Sequence, residues 1–216
     1  KTLYMKILHT SDLHIGKRIN ECSMLEEQRF IFDEILSIAE TERPDAIILA
    51  GDIYDKSVPS TEAVTLFDYF LVNLARLDKD IFIISGNHDS AERISFASRI
   101  MEERKIHLSP VYNGCISPII LNDGKIEVAF YMLPFIKPSV VLHYAEEGTE
   151  IKSYDDAMRY VISKMEIDRS RCNVLITHQF VTGAERSESE DYIVGGLDNI
   201  DAFVFKDFDY VALGHL

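Results

Sequence analysis

Seven side chains in this sequence are of types that hold metal ions or move protons: Asp12, His14, Asp52, Asn87, His88, His178 and His215. Each stands at or just beyond the end of a short apolar run. Met5 to Leu8 leads to Asp12 and His14, and Ala46 to Ala50 to Asp52. Ile81 to Ile84 leads to Asn87, His88 and Asp89, Asn173 to Ile176 to His178, and Tyr210 to Leu213 to His215. Carboxylate, imidazole and amide oxygen are hard-to-borderline donors that suit Mn2+, Fe2+ or Zn2+. They outnumber the four positions of one tetrahedral site. Two cations ~3.5–4 Å apart, sharing a carboxylate, is the arrangement that hydrolyses phosphoesters by in-line displacement. Taken singly, each residue has a plainer reading. Asp12 could cap a turn, and Gly51-Asp52 and Gly214-His215 are ordinary strand-to-loop turns. Turn chemistry does not explain five such endings in a row.

Such a cluster needs elements that deliver every member to one place. The apolar runs are rich in Ile, Val, Leu and Phe and have the length of buried strands. Between the first three lie helical patterns. Phe32, Ile35, Leu36 and Ala39 repeat at helical spacing, and Pro44 stops that helix. Pro59-Ser60-Thr61-Glu62 opens the next, with Ser60 or Thr61 as N-cap and Ala63, Phe67, Phe70, Leu71 and Leu74 as its buried stripe. Alternation of strand and helix implies parallel strands with right-handed crossovers. In open sheets of that kind, ligands gather beyond the carboxyl ends of the strands. Further on, Cys115 to Leu121 and Lys125 to Tyr131 flank an Asp-Gly turn and read as a hairpin. A helix is expected over Tyr154 to Met165, with Asp155 and Asp156 in its first turn. Residues 182–199 are polar and glycine-containing and read as a mobile loop.

Composition narrows the setting. The chain has 216 residues, room for one α/β domain, and 47% are hydrophobic, enough for a sizeable core. No apolar run reaches the ~20 residues that cross a bilayer, so no membrane association is expected. Cys22, Cys115 and Cys172 are odd in number and widely spaced, which fits a reducing cytoplasm and argues against a disulfide framework. The formal net charge of −14 argues against a nucleic-acid substrate. Bound cations would neutralise several carboxylates, and a partner could provide basic surface.

The blocks Asp12-Leu13-His14, Gly51-Asp52, Gly86-Asn87-His88-Asp89, Thr177-His178 and Gly214-His215 resemble the five motifs of the calcineurin-like metallophosphoesterases. The flanks Ile7 to Gly16, Gly51-Asp52-Ile53-Tyr54-Asp55, Gly86 to Arg93, His178 to Glu190 and Phe208 to His215 resemble the bacterial SbcD-type nucleases within that superfamily. The resemblance implies a four-layer α/β/β/α sandwich with two mixed sheets, spanning residues 5–216. It implies that Asp12 and His14 bind metal one, that Asp52 bridges, and that Asn87, His178 and His215 bind metal two. His88 would face the scissile phosphate as a non-ligand acid, oriented by Asp89. The expected activity is a Mn2+-dependent DNA exonuclease and endonuclease. Its expected partners are DNA, a second copy of itself as a homodimer, and an SbcC-type ABC ATPase in a heterotetramer for repair and hairpin processing.

The family's last motif has a second histidine two residues after the first, and this sequence ends at Leu216. The expectation is therefore a fold incomplete at its C-terminal end, with metal one short of a ligand and the capping domain and ATPase-binding helices absent. Lys1 to Tyr4 read as additions before a natural start at Met5. Other residues have plainer roles. His9 reads as packing beneath the site, His107 and His143 as structural or exposed, and Asp55 as a turn former. Lys17 and Arg18 are either solvated or phosphate contacts. Two rivals stand beside the nuclease reading. A small-substrate enzyme, a cyclic nucleotide phosphodiesterase or a phosphatase, would use the same ligands and suits the acidic charge better. A binding scaffold that has lost catalysis would have no use for His88 beside the metals.

Overall fold

A computed structural model describes residues 5–122, 126–182 and 199–215. The first sheet has the order β1 (Ile7–Thr10), β4 (Ala46–Ala50), β5 (Asp80–Ile84), β6 (Ile106–Leu108), and every pairing in it is parallel. A two-residue hairpin, β2 (Arg18–Ile19) with β3 (Cys22–Ser23), follows β1. The crossover to β4 is α1 (Leu25–Glu42), and α2 (Thr61–Ala75) returns the chain to β5. The short helices α3 (Ala91–Ile94) and α4 (Ser98–Glu102) lead into β6.

The second sheet has the order β12 (Tyr210–Gly214), β9 (Cys172–His178), β8 (Glu127–Leu133), β7 (Ile119–Asn122). Here β7 and β8 are antiparallel and the other pairings parallel. Helices α5 (Pro138–Tyr144) and α6 (Tyr154–Ser163) join β8 to β9. Between β9 and β12, β10 (Val181–Thr182) pairs in parallel with β11 (Ile200–Asp201).

Three apolar clusters stack these parts into four layers. β4 explains why, because all five of its residues are buried. Side chains alternate across a strand, so Ile47 and Leu49 face one way and Ala46, Ile48 and Ala50 the other. Ile47 and Leu49 join Phe32, Leu36, Phe70 and Leu74 of α1 and α2 in the outer core. Ala46, Ile48 and Ala50 join Phe82, Phe130, Val174 and Ile176 between the two sheets. The far face of the second sheet buries Tyr131, Leu133 and Leu175 against Met158, Val161 and Ile162 of α6. Local signals agree with these layers. The Ser60 hydroxyl accepts from the Ala63 amide at 3.2 Å and starts α2. Ser153 and Asp156 form a reciprocal capping box at the start of α6.

The four-layer α/β/β/α sandwich expected from the sequence is present, and the second of its sheets is mixed. The first is parallel throughout its described strands, because each of its connections is a helical crossover. The hairpin opens at Ile119 rather than Cys115. Its Asp123-Gly124 turn lies outside the described residues, as does 183–198 of the segment read as a loop. Strand β6 and helices α3, α4 and α5 had no sequence expectation. Cys22, Cys115 and Cys172 are free and exposed. No helix among the described residues is long and apolar enough to cross a membrane.

The inter-sheet layer is held by Phe82 stacked on Phe130, with ring centroids 4.3 Å apart. Both are fully buried. Phe82→Ala is expected to lower the unfolding free energy by about 3–5 kcal/mol. Urea titration checks this, with an unchanged slope showing that the same surface still unfolds cooperatively.

Candidate metal centre

The strands β1, β4, β5, β9 and β12 all end at one rim. The last residue of β9 is His178, and the last of β12 is Gly214, paired in register with it. Backbone hydrogen bonds splice the loops beyond the rim together. The amides of Asp12, His14 and Ile15 donate to the carbonyls of Gly51, Asp52 and Ile53 at 3.0, 2.9 and 2.9 Å. The loop after β1 is thus zipped along the loop after β4.

Asp52 lies at the centre and is 1% exposed. Its Oδ1 accepts from the His88 amide at 2.9 Å. Its Oδ2 lies 3.4 Å from Nε2 of His178 and 3.6 Å from Nε2 of His14. One carboxylate therefore stands between two groups of donors. Asp12 and His14 lie on one side, with His14 Nε2 4.0 Å from Asp12 Oδ1. His178 and His215 lie on the other, with ring centroids 5.2 Å apart. Asn87 Oδ1 is 3.1 Å from His178 Nε2. The His215 amide donates to Asp12 Oδ2 at 3.1 Å, which draws the β12 end against the β1 loop.

The close approach requires residues without side chains. A Cβ on Gly86 would overlap the carboxylate and the amide of Asp52. One on Gly214 would overlap the Ala50 carbonyl and the His178 ring. The backbone carries strain as well. Asp12, His14, Asp52 and His215 have φ of 55°, 43°, 49° and 68°, four of the ten non-glycine positive values among the described residues. That conformation costs on the order of 1–3 kcal/mol per residue and persists only where surroundings enforce it.

Electrostatics prepare these groups as ligands. His178 Nδ1 lies 2.8 Å from the Ala50 carbonyl, which can only accept, so Nδ1 carries a hydrogen. Nε2 is the atom directed at Asp52 and Asn87, 3.4 Å from Asp52 Oδ2 and 3.1 Å from Asn87 Oδ1. Burial disfavours a charged Asp52, but the hydrogen bond and charge of His178 outweigh burial and lower its pKa. Burial likewise disfavours a charged His178, yet Asp52 overrides it and raises the pKa. Burial lowers the pKa of His14, against the pull of Asp52, and keeps that imidazole neutral.

Carboxylate oxygen, amide oxygen and imidazole nitrogen, without a thiolate, fit a pair of divalent cations. Asp12, His14 and Asp52 offer ligand atoms within 4.8 Å of one another, and so do Asp52, His178 and His215. A third such group is His14, Asp55 and His88. Asp55, read from sequence as a turn former, has its carboxylate 3.8 Å from His14 Nδ1. Its signal was a carboxylate three residues beyond Asp52 on the same loop.

One expected role is corrected. Asp89 was expected to accept from the His88 ring. Its Oδ2 instead accepts from the Ile53 and Gly86 amides at 3.0 and 2.9 Å, and its Oδ1 from the Tyr54 amide at 2.9 Å. A half-buried carboxylate takes the donors that its loop brings to it, and here those are backbone amides. Burial raises its pKa and the three amides oppose that rise. Asp89 therefore ties the β4 loop to the β5 loop. The His88 ring is oriented by the main-chain carbonyl of Asp55, 3.0 Å from Nδ1, and sits edge-on to His14 with centroids 4.8 Å apart.

The remaining histidines lie apart from this cluster. His9 Nδ1 is 3.1 Å from the Tyr210 hydroxyl beneath the rim, and His107 Nε2 is 2.8 Å from Asp80 while its ring stacks on Phe82. His143 ends α5 beside Tyr144.

The chain belongs to the calcineurin-like phosphoesterase family, whose pattern matches residues 5–216. Among curated relatives, the SbcD component of the nuclease SbcCD of Staphylococcus epidermidis is 37% identical over 98% of this chain. The chain spans 56% of that relative's length. A solved crystal structure superposes with a TM-score of 0.53 at 13% identity, covering 98% of this chain and 84% of that one, which is a likeness of fold.

The Asp52–His178 pair gives the metal-free protein a definite pH dependence. Asp52, with a lowered pKa, contributes stability that is lost as pH falls through its folded value. His178, with a raised pKa, contributes stability that is lost as pH rises through its folded value. In EDTA, the contribution of this pair to the unfolding free energy, read as the difference between the parent and His178→Gln, is expected to decline as pH rises above about 6.5 and as it falls below about 4. Urea titrations of both proteins across pH check this.

Proposed function

We propose that this chain is the catalytic part of a Mn2+-dependent DNA exonuclease and endonuclease that uses two metals. The observation that carries the proposal is the placement of Asp52 between two donor groups, and His88, beside them, is read as a non-ligand. The relative's name, a component of the nuclease SbcCD, supports DNA as the substrate class. Asp12, His14 and Asp52 would hold one ion, and Asp52, Asn87, His178 and His215 the other. Bound there, divalent ions would lower the pKa of water and screen the charge of the phosphate.

The chain's own residues supply positioning and a proton. With Nδ1 of His88 donating to the Asp55 carbonyl, Nε2 is the atom that would protonate the leaving oxygen or stabilise charge in the transition state. The His88 amide on Asp52 fixes that ring relative to both donor groups. Asp89 keeps the two loops joined and so holds the spacing of His88 and Asp52.

The proposal extends to partners. An SbcC-type ABC ATPase would complete the enzyme as a heterotetramer in the cytoplasm, working in DNA repair and hairpin processing. It would supply basic surface to a chain with a net charge of −14. The homodimer belongs to the same proposal and rests on the resemblance to SbcD-type nucleases.

The acidic charge favours a second reading, a phosphodiesterase or phosphatase for small substrates. Cleavage of end-labelled duplex DNA beside a small chromogenic diester separates the two. Shortening of DNA in Mn2+ supports the nuclease. Turnover of the small diester alone, with DNA untouched even when the ATPase partner is added, selects the alternative.

His88→Leu is expected to reduce cleavage by about 10²–10⁴-fold while Mn2+ binding by calorimetry stays near that of the parent. Loss of binding as well would make His88 a ligand. Asp52→Asn is expected to weaken both Mn2+ sites in the same calorimetric titration, and an isotherm with one site untouched would remove its bridging role.

A further inference from the structure

The loop that carries Asp12 and His14 is gripped from two sides, and only one grip belongs to the metallophosphoesterase motifs. Its amides face the β4 loop, as described above. Its carbonyls face α1, where a single side chain meets them. Gln28 Nε2 donates to the carbonyl of His14 at 2.8 Å and to that of Leu13 at 3.1 Å. Gln28 Oε1 accepts from the Gly16 amide at 3.0 Å. Gln28 is itself fixed in the first turn of α1, its own amide donating to the Met24 carbonyl at 2.8 Å.

We infer that Gln28 is a positioning residue for His14, holding the peptide of that residue so that its imidazole stays aimed at Asp52. The inference rests on the reading of Asp12, His14 and Asp52 as one metal-binding group. His14 has a φ of 43°, which an L-residue adopts at a cost. Relaxation would rotate its peptide and swing the ring away from Asp52. The side-chain amide prevents this by clamping both ends of the turn, donating to residues 13 and 14 while accepting from residue 16. Glutamine suits the task because its amide offers donors and an acceptor together. Methionine has a similar length and apolar bulk but lacks both functions. Glutamate would place an acceptor against two carbonyl oxygens.

Manganese chloride titrated calorimetrically into the full-length protein tests this, with Gln28→Met and Gln28→Glu compared with the parent. Thermal unfolding in EDTA is the control. The expected result is an isotherm in which one class of site weakens about ten-fold, near 1.4 kcal/mol, and the other is unchanged, with the melting temperature retained. The weakened class should be the one that His14→Ala removes. Unchanged affinity at both classes would overturn the inference. Equal weakening of both, or loss of the fold in both variants, would overturn it too, by making Gln28 a general structural brace. A parent protein that binds no manganese would instead remove the metal-site reading, a distinct outcome.

Discussion

A carboxylate buried at the meeting point of two sheets is the constraint on which this structure turns. Removing a lone charge from water is costly unless other groups compensate. Asp52 is compensated by the His88 amide and by the His178 ring. Those partners come from the loop after β5 and from the last residue of β9. The group that would bridge two cations is therefore also the group that makes the ends of separate strands depend on one another.

Bringing so many polar groups together works against local preference. Four of the converging residues sit in the left-handed region, and two glycines allow contacts that any side chain would block. The strain is held by elements remote from the chemistry. The outer core under α1 and α2 and the layer between the sheets are close-packed and apolar. They fix the strand ends, and the strand ends leave the loops little freedom to relax. Asp89 and Gln28 extend that rigidity from the sheet into the loops through side chain to backbone hydrogen bonds.

Charge shapes what such a site can engage. The acidic groups of the rim stand where cations would neutralise them, yet the chain as a whole remains strongly negative. Catalytic geometry and substrate capture are thus separable properties here. Under the proposed nuclease reading, the rim supplies the geometry, and a polyanionic substrate would be held by positive surface from a partner.

The sequence by itself determined a good deal. Runs such as Ala46 to Ala50 and Tyr210 to Leu213 are apolar over the length of a buried strand, and each is followed within a few residues by its polar donor. Strand and donor are neighbours in the chain, so a local reading finds both. The cap at Ser60 is equally local. The tertiary structure alone decided what depends on main-chain groups. Asp89 was expected to serve His88, but three amides reached it first, and an amide is the same at every residue. Asp55 became a neighbour of His14, and Gln28 a clamp on its peptide, only because separate loops and a helix converge in space. Which strands share a sheet was likewise fixed by layer packing. A sequence records which residues carry chemistry, whereas the partners that orient them are backbone groups that any sequence provides.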